Sequence, residues 1–392
     1  MEEKKLDLNS IIGFVLIFGI LIWIMYQNQP SEATIAAEKA KKEQVAKAKA
    51  IKEVNEVLAT PVAATIGEVS DQLQKELGSF AYSALLPSAK NDFTTIENEV
   101  VKLKIANKGG YIVEATLKNF EKFKKGSGQL VELIKDNNTN LNIQLQTSDN
   151  RTLNTKDLYF APTLTKVGAD QILSMKLMAS ANEYLEYKYV LKPNDYMIGF
   201  DLRSQGLNKV LNTAKPLDLE WSLKTYRNEK SVSYENRYTE IYFEHEEGKI
   251  DYAGLGKVED ENPTNTTYIA FKQHFFTSIL LTDKPFTTSK LHSDDLINDE
   301  EIDTVYTKQL KANIPLAFSN GEIDYKMSWY FGPTDYKILK SYDKNLEKVI
   351  SLGWGIFGWI NKFIFIPLFG FLSTTLGLSL GIAIIIFTIL IK

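Results

Sequence analysis

Residues Val101–Leu117 read VKLKIANKGGYIVEATL, and the fold class follows from their period. Val101, Leu103 and Ile105 alternate with Lys102 and Lys104, so one face is apolar and the other charged. A period of two is that of a half-buried strand. Gly109-Gly110 supplies a turn before Tyr111–Leu117, which makes the stretch a hairpin. The same alternation recurs downstream. Leu141, Ile143 and Leu145 are interleaved with Asn142, Gln144 and Gln146. Leu185, Tyr187 and Tyr189 alternate with Glu186 and Lys188, and Leu217, Leu219, Trp221 and Leu223 with Asp218, Glu220 and Ser222. Ile323–Phe331 is a further aromatic strand. Many short strands joined by Asn, Gly, Asp and Pro turns predict an all-β domain over 93–335, a large antiparallel sandwich.

Outside that region the pattern is helical or apolar. Ile11–Tyr26, IIGFVLIFGILIWIMY, carries no charge and would span about 24 Å as a helix. No small-x-small cleavage site follows it, so 1–30 reads as an uncleaved signal anchor. Lysines flank it on both sides and do not orient it by themselves, and N-terminus inside is the favoured choice because long domains translocate largely regardless of charge. Residues 31–92 read as a tether. The first part, to Leu58, is an Ala/Glu/Lys-rich solvated helix. The second is an irregular linker punctuated by Pro61, Gly67, Gly78 and Pro87. After the β region, Leu339, Tyr342, Leu346 and Val349 fall on one helical face, which predicts an amphipathic helix over 336–352. The segment 353–373 is apolar but holds Trp354, Trp359, Asn361-Lys362 and Pro367, a composition suited to a helix lying in the membrane interface. Finally, 376–392 is an apolar run, Leu376–Ile391, closed by Lys392.

Composition removes much enzymatic chemistry. The chain of 392 residues has a net charge of −4, so no strong basic field exists to hold nucleic acid. It has no cysteine, which excludes disulfides, thiolate metal sites, a Cys nucleophile and a lipoprotein anchor. Of its three histidines, His245 sits among Glu235, Arg237, Glu240, Glu244, Glu246 and Glu247 in a tyrosine-rich stretch with Tyr226, Tyr234, Tyr238 and Tyr242. No metal-ligand spacing is complete there, and the cluster reads as a solvated acidic face over sandwich core. The tyrosines could alternatively form a strip that binds sugar or peptide. His274, in YIAFKQHFF (268–276), reads as a structural histidine on a buried strand. No GxSxG, P-loop or dinucleotide fingerprint is present, and Gly254-Leu255-Gly256 is followed by a polar loop. No catalytic, cofactor or metal residue is therefore expected.

Three stretches together resemble the YidC-type membrane protein insertase family in its Gram-negative form. They are Val101–Leu117, YIAFKQHFF with the later Trp329-Tyr330-Phe331-Gly332-Pro333, and the tail GWGIFGWINKFIFIPLF…GLSLGIAIIIFTILIK. The resemblance implies a β-supersandwich like that of sugar mutarotases, without their chemistry, flanked by transmembrane and interfacial α-helices. It implies a membrane insertase, not a bond-breaking enzyme, in the bacterial inner membrane with its large domain in the periplasm. It would act alone or beside the Sec translocon on nascent membrane proteins, in contact with membrane lipid. It further implies that Thr388 and Lys392 lie where the family has a client groove, with lysine in place of the usual arginine. A full member continues through more transmembrane helices, so the native polypeptide is expected to run past Lys392. Two other classes stay open on the residues alone: a membrane-anchored periplasmic protein binding glycan or peptide, and a membrane-tethered carbohydrate enzyme.

Overall fold

The Gly109-Gly110 hairpin forms as the alternation predicts. Strands Val101–Ala106 and Ile112–Glu121 pair antiparallel with Val101 opposite Leu117 and Leu103 opposite Ala115. Val101, Leu103 and Ile105 are fully buried. Both turn glycines have positive φ, +86° and +69°. At Gly110 a Cβ would fall 2.8 Å from the Phe160 ring, so the turn requires glycine for space as well as for backbone freedom. A computed structural model describes residues 62–391 apart from 247 and 354, with side chains from residue 70 onward. The expected anchor 1–30 and helical tether to Leu58 lie outside the described residues, as does Lys392.

The described strands form three antiparallel sheets. The hairpin belongs to a four-stranded meander running from Phe93–Glu97 to Leu130–Ile134. A nine-stranded sheet has the spatial order Lys249–Ala253, Glu240–His245, Thr264–Lys272, Phe276–Thr288, Asp324–Pro333, Met197–Gln205, Tyr184–Leu191, Asp170–Met178 and Ala161–Val167. A six-stranded sheet is ordered Val258–Glu261, Lys290–Asp295, Tyr306–Leu316, Leu217–Tyr226, Thr139–Gln146 and Thr152–Asn154. The two larger sheets share one core. Trp221 of the smaller stacks on Phe271 of the larger at 3.7 Å and meets Trp329 edge-on at 4.9 Å. This is the aromatic filling expected where two sheets pack face to face.

Three segments depart from the sequence reading. The linker before the sandwich contains a 16-residue helix, α1 (Val62–Leu77), followed by helical turns to Ala84. Phe80 at its end is 1% exposed, and the Ser83 hydroxyl donates to Tyr159 O at 2.6 Å. Gly78 and Pro87 punctuate a packed segment there, because Phe80 supplies the apolar contact that a free linker lacks. Around His245, the acidic stretch is a solvated face only in part: Arg237 and Glu246 are exposed, whereas Glu235, Glu240 and Glu244 are buried. Strand Glu240–His245 is interior to the large sheet and covered on both sides, so its polar members go inside with Ile241, Tyr242 and Phe243. His274, last, is not within a strand but in the turn between Thr264–Lys272 and Phe276–Thr288.

The expected amphipathic helix over 336–352 is also broken in two. Helix α2 (Tyr336–Ser341) is separated from a 3-10 turn, Leu346–Val349, by Asp343 and Asn345 at φ +53° and +60°. Short polar side chains tolerate this left-handed conformation. The apolar stripe survives the break: Leu339, Leu346 and Val349 each have 0% exposure. The segment therefore belongs to the sandwich core, and the folding unit reaches to about Ile350. We expect a fragment spanning 70–350 to give a strand-dominated circular dichroism spectrum and one cooperative urea transition. A fragment spanning 93–335 should be less stable by several kcal/mol, since each fully buried aliphatic side chain contributes about 1.5–3 kcal/mol. Equal midpoints for the two fragments would show that the stripe does not belong to the core.

Candidate functional site

The sheet hands the chain to the helices through a short clamp. Asp335 caps α2, its carboxylate accepting from Ile338 N at 3.0 Å. One turn on, the Tyr342 hydroxyl donates to Asp195 Oδ1 at 2.7 Å. Burial and the Asp195 carboxylate both push the Tyr342 phenol above its ordinary value, so it remains a donor. Asn345 Nδ2 donates to Glu244 Oε1 at 2.6 Å, and the other oxygen of Glu244 accepts from Thr267 Oγ1 at 2.6 Å. A cleft of about 400 Å³ lies along this seam, lined in part by Glu244, Tyr268, Asp283, Tyr342 and Lys344.

Beyond the clamp the chain turns apolar. Helix α3 (Gly355–Thr375) has 21 residues and by length and composition is long and apolar enough to cross a membrane. It widens to π turns at Asn361–Phe365 and Phe371–Thr375. Asn361 Nδ2 donates to Leu352 O at 2.7 Å, which removes one polar group from the exposed surface, while Lys362 is exposed. Ile356, Trp359 and Phe363 are each more than half exposed. After Gly377, at φ +62°, helix α4 (Leu380–Ile391) folds back so that Phe387 meets Phe365 and Phe369 edge-on at 5.4 and 5.9 Å. The helix starts four residues later than the apolar run. Its 12 residues span about 18 Å, less than the run from Leu376 would have given.

Of the two expected groove residues, Thr388 is exposed on α4, with its hydroxyl donating to Ile384 O at 2.7 Å. That back-bond satisfies the hydroxyl within its own helix. Lys392 lies outside the described residues.

The histidines divide. His245 Nε2 is 2.8 Å from Asp251 Oδ2 and His292 Nδ1 is 2.8 Å from Asp260 Oδ1, each ring reaching an exposed carboxylate on the neighbouring edge strand. His274 Nδ1 is 2.7 Å from Glu229 Oε1, with the ring stacked on Tyr238 at 4.7 Å and against Phe275 at 4.0 Å. Among the described residues no group of three His, Asp or Glu side chains is placed to hold a metal ion. The tyrosines do not form one strip: Tyr226 pairs with Tyr306, Tyr242 with Tyr252, and Tyr234 with Tyr238.

Sequence reasoning missed the buried polar seam behind His274. Glu235 accepts from Asn228 N at 2.8 Å, Glu229 N at 3.0 Å and Gln273 Nε2 at 3.1 Å. Lys272 pairs with Glu240 at 3.0 Å, both buried. Lys308 donates to Gly254 O, and its burial pulls the amine below its ordinary value. A signal existed for two of them: Glu240 and Lys272 adjoin the apolar strand runs Ile241–Phe243 and Ile269–Phe271, which leave the charge no solvated face. Glu235 on a short helix and Lys308 between Thr307 and Gln309 carry no such mark.

Comparison with known proteins bears on the whole arrangement. The sequence model of the family described as the YidC periplasmic domain matches residues 94–367. The membrane protein insertase YidC of Parabacteroides distasonis is 30% identical over 407 residues, covering 99% of this chain and 62% of that protein. The protein of the same name from Porphyromonas gingivalis is 30% identical over 410 residues, with the same coverage of 99% and 62%. The chain thus spans about three fifths of the length of these relatives. Among solved structures, the periplasmic domain of the Thermotoga maritima YidC has a TM-score of 0.35 at 10% identity, covering 66% of this chain and 92% of that one. A galactose mutarotase related enzyme from Lactobacillus acidophilus has a TM-score of 0.34 at 9% identity, covering 61% and 97%. At those scores neither likeness carries an argument.

The seam has a pH signature. Burial pushes Glu235 up from 4.5 to about 7, opposed by the amides of Glu229 and Asn228. Between those values the folded protein holds a proton that the unfolded chain has released. The stability contributed by Glu235 is therefore fully present at acid pH and falls as pH rises through about 7. Glu235→Gln removes that titration and sets an amide against the Gln273 amide, so it should be less stable overall. Urea midpoints measured from pH 4.5 to 8 should show the gap between wild type and variant narrowing as pH rises. A constant gap would place the Glu235 carboxylate in ordinary titration.

Proposed function

The chain belongs to the YidC periplasmic-domain family, and on that premise we propose that it is the leading part of a membrane protein insertase. Its clients are integral membrane proteins during insertion, folding and assembly, and it acts alone or with the Sec translocon. It resides in the bacterial inner membrane with the sandwich in the periplasm. It catalyses transfer between phases and breaks no bond. The observation that carries this reading is the extent of the family match: it begins in the first strand and runs through the sandwich and the clamp into α3 without leaving the family.

The physical task of an insertase is to lower the cost of taking polar groups into hydrocarbon. A charged side chain at the bilayer centre costs about 2.5–3.5 kcal/mol on insertion scales, and an unpaired backbone amide also costs free energy. A wet groove beside α4 offers a polar client segment partial solvation on the way in. Thr388 supplies a hydroxyl to that groove, and Lys392 a cation kept charged by water and by client polar groups. Lys392 meets a carboxylate as a point charge and lacks the bidentate fork of arginine. The exposed Ile and Phe side chains of α3 and α4 meet lipid, in which they are at home.

Two measurements test this reading. In cells that depend on this gene for insertion, Lys392→Ala should impair insertion of some reporter membrane proteins at unchanged abundance, and Lys392→Arg should be tolerated. Normal insertion of every reporter by the Ala variant would remove Lys392 from the groove. In the same cells a cysteine at position 362 should react with a membrane-impermeant maleimide added from the periplasmic side. A lysine lying in the interface keeps its ammonium in water, whereas one buried mid-span does not. Protection of that cysteine from both sides would mean that α3 crosses the bilayer.

A further inference from the structure

Phe123 is an aromatic residue held in a left-handed conformation, at φ +64°. An L side chain with a bulky Cβ substituent adopts that backbone at a cost, and glycine or asparagine adopts it far more readily. The strain is imposed by its surroundings. Phe123 N donates to Asn228 O at 2.7 Å, and the carboxylate of Glu121 accepts from the amides of Gly126 and Gly128. The Arg227 guanidinium sits 5.5 Å from the ring. None of this buries the ring, which stays 40% exposed. Backbone strain that keeps an apolar ring at the surface calls for a functional reason.

Phe275, at the tip of the adjoining hairpin, is 54% exposed. The two rings share a cleft of about 590 Å³ with Lys124, Lys230 and Pro333–Asp335. Lys124, Lys125 and Lys230 are all exposed around it. The acids nearby are committed elsewhere: Glu121 to loop amides, Glu229 to His274 and Asp335 to the cap of α2. Those carboxylates keep their charge, but they face the loop amides, His274 and the α2 cap, and Lys124, Lys125, Lys230 and Arg227 outnumber them by one around the rings. The lip is also continuous with the apolar helices, because Asp335 opens α2 and Lys337 of α2 packs over Gly370 of α3.

We propose that this lip docks on an anionic phospholipid surface, with Phe123 and Phe275 in the interface and Lys124, Lys125 and Lys230 on the headgroups. Aromatic tips flanked by lysines are the composition that partitions into that layer, and the cations select anionic lipid. The inference rests on the reading above that α3 lies at a membrane.

The chain has no cysteine, so single cysteines can carry an environment-sensitive fluorophore in the full chain reconstituted in vesicles. Sites are Phe123→Cys, with Phe275→Cys as the alternative if the first fails to fold, Lys362→Cys on α3 and Asn182→Cys. Asn182 follows Met178, at the strand end of the large sheet opposite Pro333. In vesicles containing phosphatidylglycerol, nitroxides at the headgroup end of the acyl chains should quench the probes at 123 and 362, both at interfacial depth, and spare the one at 182. Replacing Lys124, Lys125 and Lys230 by Gln should reduce quenching at 123 several-fold, each lysine near an anionic surface being worth about fivefold. Quenching at 362 without quenching at 123 would overturn the inference and leave the membrane placement of α3 intact. Equal quenching in phosphatidylcholine alone would overturn the anionic preference, and a spectral shift at 123 without lipid quenching would assign the lip to a protein partner. Silence at both 123 and 362 would overturn the placement of α3 and the inference with it.

Discussion

Burial of Leu339, Leu346 and Val349 fixes where the chain leaves the sandwich. Each side chain loses all contact with water, so releasing any one of them costs about 1.5–3 kcal/mol before the gap it leaves is counted. Hydrogen bonds alone would hold the segment weakly, because each contributes only about 1 kcal/mol net. Here they add direction to the burial: Tyr342 to Asp195 and Asn345 to Glu244 set the path across the large sheet. Without the three aliphatic anchors, residues 336–353 would be an ordinary linker. Sandwich and apolar helices would then move as independent bodies. With them, a helix suited to the membrane begins only a few residues after the last buried anchor.

The same economy of polar groups runs through the sandwich. Glu186, Glu235, Glu240 and Glu244 are each less than a tenth exposed, and each has a donor within its own sheet or the adjoining loop. A buried carboxylate without such a donor would cost several kcal/mol. These groups add little net stability over an apolar packing of the same volume. They do tie particular strands and loops to particular neighbours, as Glu244 ties Thr267 to Asn345 across the outer side of the large sheet.

Strand periodicity was legible because it depends on nearest neighbours alone. Val101, Leu103 and Ile105, or Leu217, Leu219 and Trp221, go inside wherever their strands end up in the sheet. The apolar stripe of Leu339, Leu346 and Val349 was legible for the same reason, although its backbone was not. A continuous helix and a helix interrupted at Asp343 and Asn345 give the same stripe, and the choice between them is made by Asp195 and Glu244, over a hundred residues or more of separation. The acidic stretch held as a solvated face only at Arg237 and Glu246, because burial of Glu240 and Glu244 depends on what packs outside strand Glu240–His245, which local sequence does not encode. His274 illustrates the converse: its turn position follows from pairing of the flanking strands, invisible in a run of aromatic residues. For the groove, Thr388 could be placed on a helix from sequence, but a groove needs facing walls that no single apolar run specifies.

Hydrogen exchange through the clamp, measured on the full chain in lipid, tests most directly whether sandwich and apolar helices form one body. The amides of Leu339, Lys348 and Ile350 donate within the segment, to Asp335, Asn345 and Glu347. If the three anchors hold, these amides exchange as slowly as those of strands Glu240–His245 and Thr264–Lys272, opening only with the domain. Exchange at the rate of an unprotected peptide, with both strands still protected, would show that the segment is a loose linker and that the sandwich is not fixed to the helices that follow it.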